Sequence, residues 1–191
     1  GEGFDQIEQR LNVSKNPDAT MVGHSDMKDP PKDQVQQLID LYSKGQLQEA
    51  LTQASNLLRD YPNSVVLYNI VGVSHKGLGN LEEAIEVYKK AIFLNPDYAD
   101  TYNNMGITLK EQGKLDEALT ALNKALSIDP DNAEAYYNIG NALKEQGYLE
   151  EAIEAYTKAL SVNPDLTIIH YSISSIKTYK ADDKHFLQVQ K

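Results

Sequence analysis

A 34-residue unit occurs twice in succession in this sequence. Residues 99–132 and 133–166 align without a gap and are identical at 19 of 34 positions. A fixed period of this length predicts small helical or strand units that stack on one another, rather than a single globular core. The same spacing continues upstream at Gly45, Ala50, Pro62, Gly79, Ala84 and Pro96. The sequence therefore predicts four repeats, at residues 31–64, 65–98, 99–132 and 133–166.

The recurring residues suit a pair of helices in each repeat. Glycine at repeat position 15 predicts the end of the first helix, because a left-handed residue closes the last turn without a Cβ clash. Proline at position 32 predicts the end of the second helix, since proline lacks the backbone N–H and disfavours helix just before it. Glycine at position 8 lets the two helices approach closely. The aspartates that follow the prolines, Asp97, Asp131 and Asp165, are predicted to cap the next helix.

Repeats 2 and 4 share aromatic, glycine, alanine and proline residues at six fixed positions. In repeat 4 these are Tyr136, Gly140, Ala152, Tyr156, Ala159 and Pro164. This pattern resembles the tetratricopeptide repeat (TPR), a helix–turn–helix unit of 34 residues. Repeat 3 has Leu122 in place of the second aromatic residue, and repeat 1 departs most, with Gln34 and Leu38 at the first two positions. The resemblance implies an all-α TPR solenoid, a right-handed superhelix of antiparallel helix pairs.

The first 30 residues do not follow the repeat. Phe4, Ile7 and Leu11 have the spacing of one face of a short amphipathic helix, and residues 12–30 have the composition of a linker. Two interpretations stay open for residues 1–30. They form a terminal tail, or their apolar residues dock into a groove on this molecule or on a neighbour, which would make the chain a homo-oligomer through residues 4–11.

The period also fails after Leu166. Ile169, Ile173 and Ile176 predict an amphipathic helix that caps repeat 4, with its serines turned outward, and the rest of residues 167–191 forms a C-terminal tail. The end of the sequence at this point leads us to expect a portion of a longer polypeptide.

Composition narrows the function classes. The net charge of −10 disfavours a nucleic-acid partner, and no apolar run approaches the roughly 20 residues of a membrane span. The N-terminus lacks the features of a secretory signal, so we expect a soluble cytoplasmic protein. The chain has no cysteine, and its four histidines lack metal-ligand spacing. We expect no enzyme activity, no cofactor and no metal.

Binding is the function that the TPR resemblance implies, since the first helices of TPR arrays line a concave face. Mapped onto this sequence, the face carries aliphatic residues in the first two repeats and amides, a tyrosine and lysines in the last two. The predicted peptide-binding groove comprises Val35, Ile39, Tyr42, Asn69, Val73, Lys76, Asn103, Asn104, Ile107, Lys110, Tyr137, Asn138, Asn141 and Lys144.

Two sets of groove residues recur at the same position in successive repeats, and each set has two interpretations. Asn104 and Asn138 share one repeat position and look like the asparagine ladder of O-linked N-acetylglucosamine transferases, which implies hydrogen bonds to a peptide backbone. Alternatively, they are consensus residues that contact water. Lys76, Lys110 and Lys144 either pair with acidic groups of a ligand or complement the helix dipole; we favour the dipole.

The groove does not match the TPR clamp that holds the acidic C-terminal tails of chaperones. That clamp uses lysine, asparagine and arginine at five positions. The matching residues here are Asn69, Val73, Asn104, Glu134 and Asn138. Asn104 is the one that fits, and the Glu134 carboxylate would repel a terminal carboxylate.

The sequence therefore predicts a protein–protein interaction scaffold that binds a peptide or protein segment in the concave TPR groove. Two alternatives remain. The chain is a self-assembling scaffold with its N-terminal segment in a neighbour's groove, or it is the substrate-recruiting region of a larger transferase.

Overall fold

The structure is a computed structural model that describes residues 29–177 of the 191-residue chain. Over this range the chain forms α-helices joined by short turns, with no β-strand. The first eight helices are α1 Lys32–Ser43, α2 Leu47–Leu57, α3 Val65–Gly77, α4 Leu81–Leu94, α5 Ala99–Glu111, α6 Leu115–Ile128, α7 Ala133–Glu145 and α8 Leu149–Val162. A ninth helix, α9, covers residues 167–177. The predicted helix at residues 4–11 and residues 178–191 of the predicted C-terminal tail lie outside the described residues.

The first eight helices form four pairs, and each helix packs against its partner and against the next pair. We call α1, α3, α5 and α7 the A helices and α2, α4, α6 and α8 the B helices. Consecutive A helices contact one another more closely than consecutive B helices do. The A helices therefore lie on the inner side of the curved stack. The expected all-α architecture of stacked helix pairs is confirmed.

The turn within each pair depends on a left-handed glycine. Gly45, Gly79, Gly113 and Gly147 have φ between +75° and +85°. The N–H of Gly113 donates to the Lys110 carbonyl at 2.8 Å, and the next N–H, of Lys114, donates to the Leu109 carbonyl at 2.9 Å. These two bonds satisfy carbonyls at the end of the A helix, which the helix itself cannot pair. The predicted role of these glycines is confirmed.

A second set of glycines sets the distance between the helices of a pair. A Cβ atom on Gly72 would lie 2.3 Å from the Tyr88 ring, and one on Gly140 would lie 2.5 Å from the Tyr156 ring. Both tyrosine rings are fully buried. Position 8 must therefore lack a side chain because the aromatic residue at position 24 occupies the space, as the sequence predicts.

The prediction of aspartate caps is wrong. α5 follows Tyr98 rather than Asp97, and α7 is capped by Asn132, whose Oδ1 accepts from the Ala135 N–H at 2.9 Å. The aspartates lie one residue too early to cap a helix. Their own N–H groups bond to the side chain two residues before, in tight turns that follow the B helices. These bonds are Asp97 to Asn95, Asp131 to Asp129 and Asp165 to Asn163.

Helix α9 packs on the last pair. Ile169 and Ile176 are buried in a cluster with Tyr156 and Ala159. The expectation that the serines of this helix point outward holds for Ser174 and Ser175 but not for Ser172, which is buried. The Ser172 hydroxyl donates to the Ile168 carbonyl at 3.2 Å, so its burial leaves no unpaired donor.

Candidate functional site

The fourteen predicted groove residues all lie on the A helices, and we call this set of residues the A face. The structure places them at three levels of exposure. Ile39, Asn69, Asn103 and Asn138 are buried. Lys144 is exposed. The other nine are half-buried: Val35, Tyr42, Val73, Lys76, Asn104, Ile107, Lys110, Tyr137 and Asn141.

The buried asparagines form pairs between neighbouring repeats. Asn104 Nδ2 donates to Asn69 Oδ1 at 3.3 Å, and Asn138 Nδ2 donates to Asn103 Oδ1 at 3.1 Å. Each pair joins position 5 of one repeat to position 6 of the next. Two of the predicted ladder amides therefore use a donor within the protein. They hold consecutive A helices together, whatever else they contact.

The amide nitrogens of Asn69 and Asn103 also donate within the protein. Asn69 Nδ2 donates to the Thr101 hydroxyl at 2.7 Å and to the Val65 carbonyl at 3.0 Å. Asn103 Nδ2 donates to Glu134 Oε1 at 3.3 Å. Buried amides that are hydrogen-bonded in this way stabilise one arrangement of the helices, because another arrangement would leave these groups unpaired.

The junction between repeats 1 and 2 has apolar residues at the same two positions. Ile70, at position 6, is buried, and Val35, at position 5, packs against the cluster that contains Ile70, Leu38 and Leu67. Apolar contact thus replaces the amide pair at this first junction. The next two junctions, between repeats 2 and 3 and between repeats 3 and 4, carry the amide pairs.

The lysine column is also paired across repeats. Lys76 Nζ lies 3.8 Å from Glu111 Oε1, and Lys110 Nζ lies 3.3 Å from Glu145 Oε1. Each of these two lysines therefore pairs with the glutamate of the following repeat, and Lys110 does so although Glu111 lies beside it on its own helix. Lys144 makes no ion pair within the part of the chain that the structure describes.

Three side chains of the last A helix share one side of it. Tyr137, Asn141 and Lys144 follow one another at steps of four and three residues, which places them in a row along α7. The Tyr156 hydroxyl donates to Asn141 Oδ1 at 2.7 Å. This bond orients the amide so that its nitrogen keeps two N–H donors for a ligand. The row thus combines an aromatic ring, an amide donor and a cation.

Tyrosine hydroxyls near the A face remain protonated donors over a wide pH range. Burial raises the pKa of Tyr156 to about 12, and the Tyr137 hydroxyl adds to this shift. Burial, and then the Glu111 carboxylate, raises the pKa of Tyr42. Tyr156 and Tyr42 therefore do not titrate near neutral pH.

Residues 29–177 contain no group of three or more histidines, aspartates or glutamates that could hold a metal ion. In the same range no helix is both long enough and apolar enough to cross a bilayer. His75 is half-buried in α3.

Sequence reasoning missed the pairing partners of the groove residues. Thr101, Glu134 and Glu111 contribute contacts to the A face that no motif indicated. The sequence does contain a signal for these pairs, namely their spacing. The amide pairs and the ion pairs all join residues 35 apart, one more than the repeat length. Comparing position 5 of each repeat with position 6 of the next would have found the amide pairs.

Family models of the TPR repeat match residues 72–113 and 108–147, and a tetratricopeptide repeat model matches residues 133–166. A search of curated proteins found no significant match.

Several solved structures share this fold. A crystal structure of MamA is 27% identical, with a TM-score of 0.66, over 75% of this chain and 84% of that one. MamA from Desulfovibrio magneticus RS-1 is 26% identical, with a TM-score of 0.67, over 86% of this chain and 95% of that one. The first TPR of Spaghetti (RPAP3), bound to an HSP90 peptide, is 22% identical, with a TM-score of 0.59, over 61% of this chain and 93% of that one. Residues 72–166 are thus tetratricopeptide repeats, and the described chain is an all-α TPR solenoid.

Proposed function

We propose that this protein is an interaction scaffold that binds an extended segment of a partner protein along the A face. The fold supports the proposal in general terms, since the RPAP3 domain, which shares it, is bound to a peptide. The residues support it more specifically. Ten of the fourteen groove residues keep part of their surface exposed, and they are distributed over all four A helices.

The row of Tyr137, Asn141 and Lys144 carries the proposal. Lys76 and Lys110 are engaged by glutamates, but Lys144 has no such partner among the described residues. The Asn141 nitrogen offers donors to a peptide carbonyl, and the Tyr137 ring offers apolar surface beside it. We therefore propose that the partner places an acidic residue at Lys144 and an apolar one at Tyr137.

The proposal keeps only part of the asparagine ladder. Asn104 is half-buried, and Asn141 is oriented by Tyr156, so we propose that these two amides contact a peptide backbone. Asn138 is 6% exposed and donates to Asn103, so we assign it to joining the repeats. Toward the first repeats, Val35, Tyr42, Val73 and Ile107 would supply apolar contacts.

Peptide selection tests the proposal. A random peptide library is selected against the full chain, and the affinities of enriched peptides are measured for wild type, Tyr137→Ala and Lys144→Glu by fluorescence polarisation. We expect peptides with an acidic residue, and affinity losses of about tenfold or more for each variant, since a central aromatic anchor and a charge reversal each affect binding strongly.

Lys114→Glu is the matched control, because it reverses the same charge at an exposed turn residue outside the A face. It should leave affinity within about twofold of wild type, since a distant rim charge contributes little. Peptides that bind all three variants as they bind wild type would remove the A face from the proposal.

A further inference from the structure

An exposed aromatic ring distinguishes the second repeat from its neighbours. Phe93, in α4, is 87% exposed. It lines an open groove of about 330 Å³ together with Pro62, Tyr68, Lys90 and Leu94. A volume at the low end of the range of ligand pockets suits one apolar side chain of a partner. None of these residues belongs to the A face, so the groove is a separate surface.

The matching site is covered in repeats 3 and 4. Lys124 Nζ lies 5.9 Å from the centroid of the Tyr102 ring, and Lys158 Nζ lies 6.0 Å from that of the Tyr136 ring. Each lysine therefore closes over the tyrosine of its own repeat by a cation–π contact. In repeat 2 the equivalent residues are Lys90 and Tyr68, and among residues 29–177 this contact is not formed.

The position of Phe93 also differs in chemistry. Its counterparts are Ser127 and Ser161, whose hydroxyls donate to backbone carbonyls of their own helices at 2.7 Å. Those serines are satisfied locally and present no apolar surface. Phe93 is a large apolar side chain that the fold leaves in water, and such exposure beside a groove indicates a contact site.

Charge sets the second property of the groove. Lys89 Nζ is bound to Glu86 at 2.7 Å, whereas Lys90 has no carboxylate at ion-pair distance in the described range. For Tyr102 of repeat 3, burial raises the pKa, and the carboxylate of Asp97, at position 33 of repeat 2, raises it further. The matching residue one repeat earlier, at position 33 of repeat 1, is the neutral Asn63, which lines the groove together with Tyr68. The groove therefore keeps an uncompensated positive charge.

We infer that this groove binds a short segment of a partner protein in which an apolar side chain lies next to an acidic one. The apolar side chain lies against Phe93 and Tyr68, and the carboxylate pairs with Lys90. A second copy of this chain fits less well, because a stable interface needs about 800 Å² per partner and the groove holds one side chain.

Phe93→Ser is the decisive variant, since it gives repeat 2 the residue of repeats 3 and 4 and removes a side chain that the fold does not bury. A random peptide library is selected against the full chain, with the Phe93→Ser chain as counter-selection. We expect enriched peptides with adjacent apolar and acidic residues that bind Phe93→Ser at least about tenfold more weakly. Thermal unfolding should be the same for both proteins.

Asn63→Asp supplies a second test, because it places at the groove the acid that acts on Tyr102 one repeat later, Asp97. It should weaken the same peptides several-fold, whereas Lys144→Glu should leave them unchanged and so separates them from ligands of the A face. Enriched peptides that tolerate Phe93→Ser, or a selection without Phe93-dependent peptides, would overturn the inference. Self-association of wild type that Phe93→Ser abolishes, with no such peptide, would assign the groove to a second copy instead.

Discussion

Two junctions between repeats use the same faces of the A helices but different contacts. The junction between repeats 1 and 2 is apolar, and the junction between repeats 3 and 4 is hydrogen-bonded. The first packs Val35 into an apolar cluster with the buried Ile70. The other pairs Asn103 with Asn138, both buried, through a 3.1 Å hydrogen bond. The same packing of the A helices is therefore compatible with either an apolar contact or an amide pair. The two junctions differ in how much change they tolerate. An apolar contact persists when the helices shift slightly, whereas a buried amide pair is stable only when both partners are present.

The largest effect should follow from placing an amide in the apolar junction. Ile70→Asn loses a buried aliphatic side chain and leaves an amide without a partner against Val35, which should lower the free energy of unfolding by about 3 kcal/mol. Urea denaturation followed by circular dichroism measures this. Adding Val35→Asn should recover part of the loss by supplying the missing partner, and a single variant as stable as wild type would refute the comparison.

Breaking the amide pair should cost less but still be clear. Asn103→Val removes the acceptor of Asn138 and the donor to Glu134, and we expect a loss of about 2 kcal/mol. The double variant Asn103→Val with Asn138→Ile installs the chemistry of the first junction. Its free energy of unfolding should return to within about 1 kcal/mol of wild type, since replacing both partners leaves no orphaned group. Additive losses would show that the two side chains are independent.

The two amide pairs should differ from each other. Asn104 is half-buried whereas Asn138 is 6% exposed. After Asn104→Ala, water can reach the Asn69 oxygen, so we expect a loss of about 1 kcal/mol, less than for Asn138→Ala. Comparing the two alanine variants by denaturant unfolding ranks the pairs, and a larger cost for Asn104→Ala would contradict the assigned exposures.

The ion pairs should matter least. Lys110→Met breaks the 3.3 Å pair with Glu145, which is 45% exposed, so we expect a change of about 0.5 kcal/mol or less. The difference from wild type should disappear in molar salt, because exposed charges are screened there. A larger effect that persists at high salt would show that Lys110 stabilises the junction through its aliphatic stem.

The sequence predicted what depends on a single repeat. The left-handed turn at Gly113 and the contact of Gly72 with Tyr88 follow from local conformation and from the space inside one helix pair, so periodicity was sufficient. The exposure of Asn103 and Asn138 depends instead on how one pair is rotated against the next. Residue type carries no information on that rotation, and the same asparagine suits a ligand site or a buried pair.

Two further features were visible only by comparing repeats. Asp97 was assigned as a cap because aspartate favours that role, but the turn after α4 takes one residue more than assumed, and Tyr98 occupies the position. Phe93 departs from the serines at Ser127 and Ser161, which was readable in the sequence. Its importance emerged from the exposure of the ring and the groove beside it.

The paired residues lie 35 positions apart, one more than the repeat length, and this spacing decides which repeat can be duplicated in tandem without loss of a pair. Repeat 3 carries asparagine at both positions 5 and 6, Asn103 and Asn104, and lysine and glutamate at positions 12 and 13. A duplicate inserted after it would meet the original with the same amide pair and ion pair. In a copy of repeat 2, Ile70 would instead face the original Asn69, whose amide would lose its hydrogen-bond partner. Lengthening of the array, by evolution or by engineering, is therefore expected to proceed from the third unit.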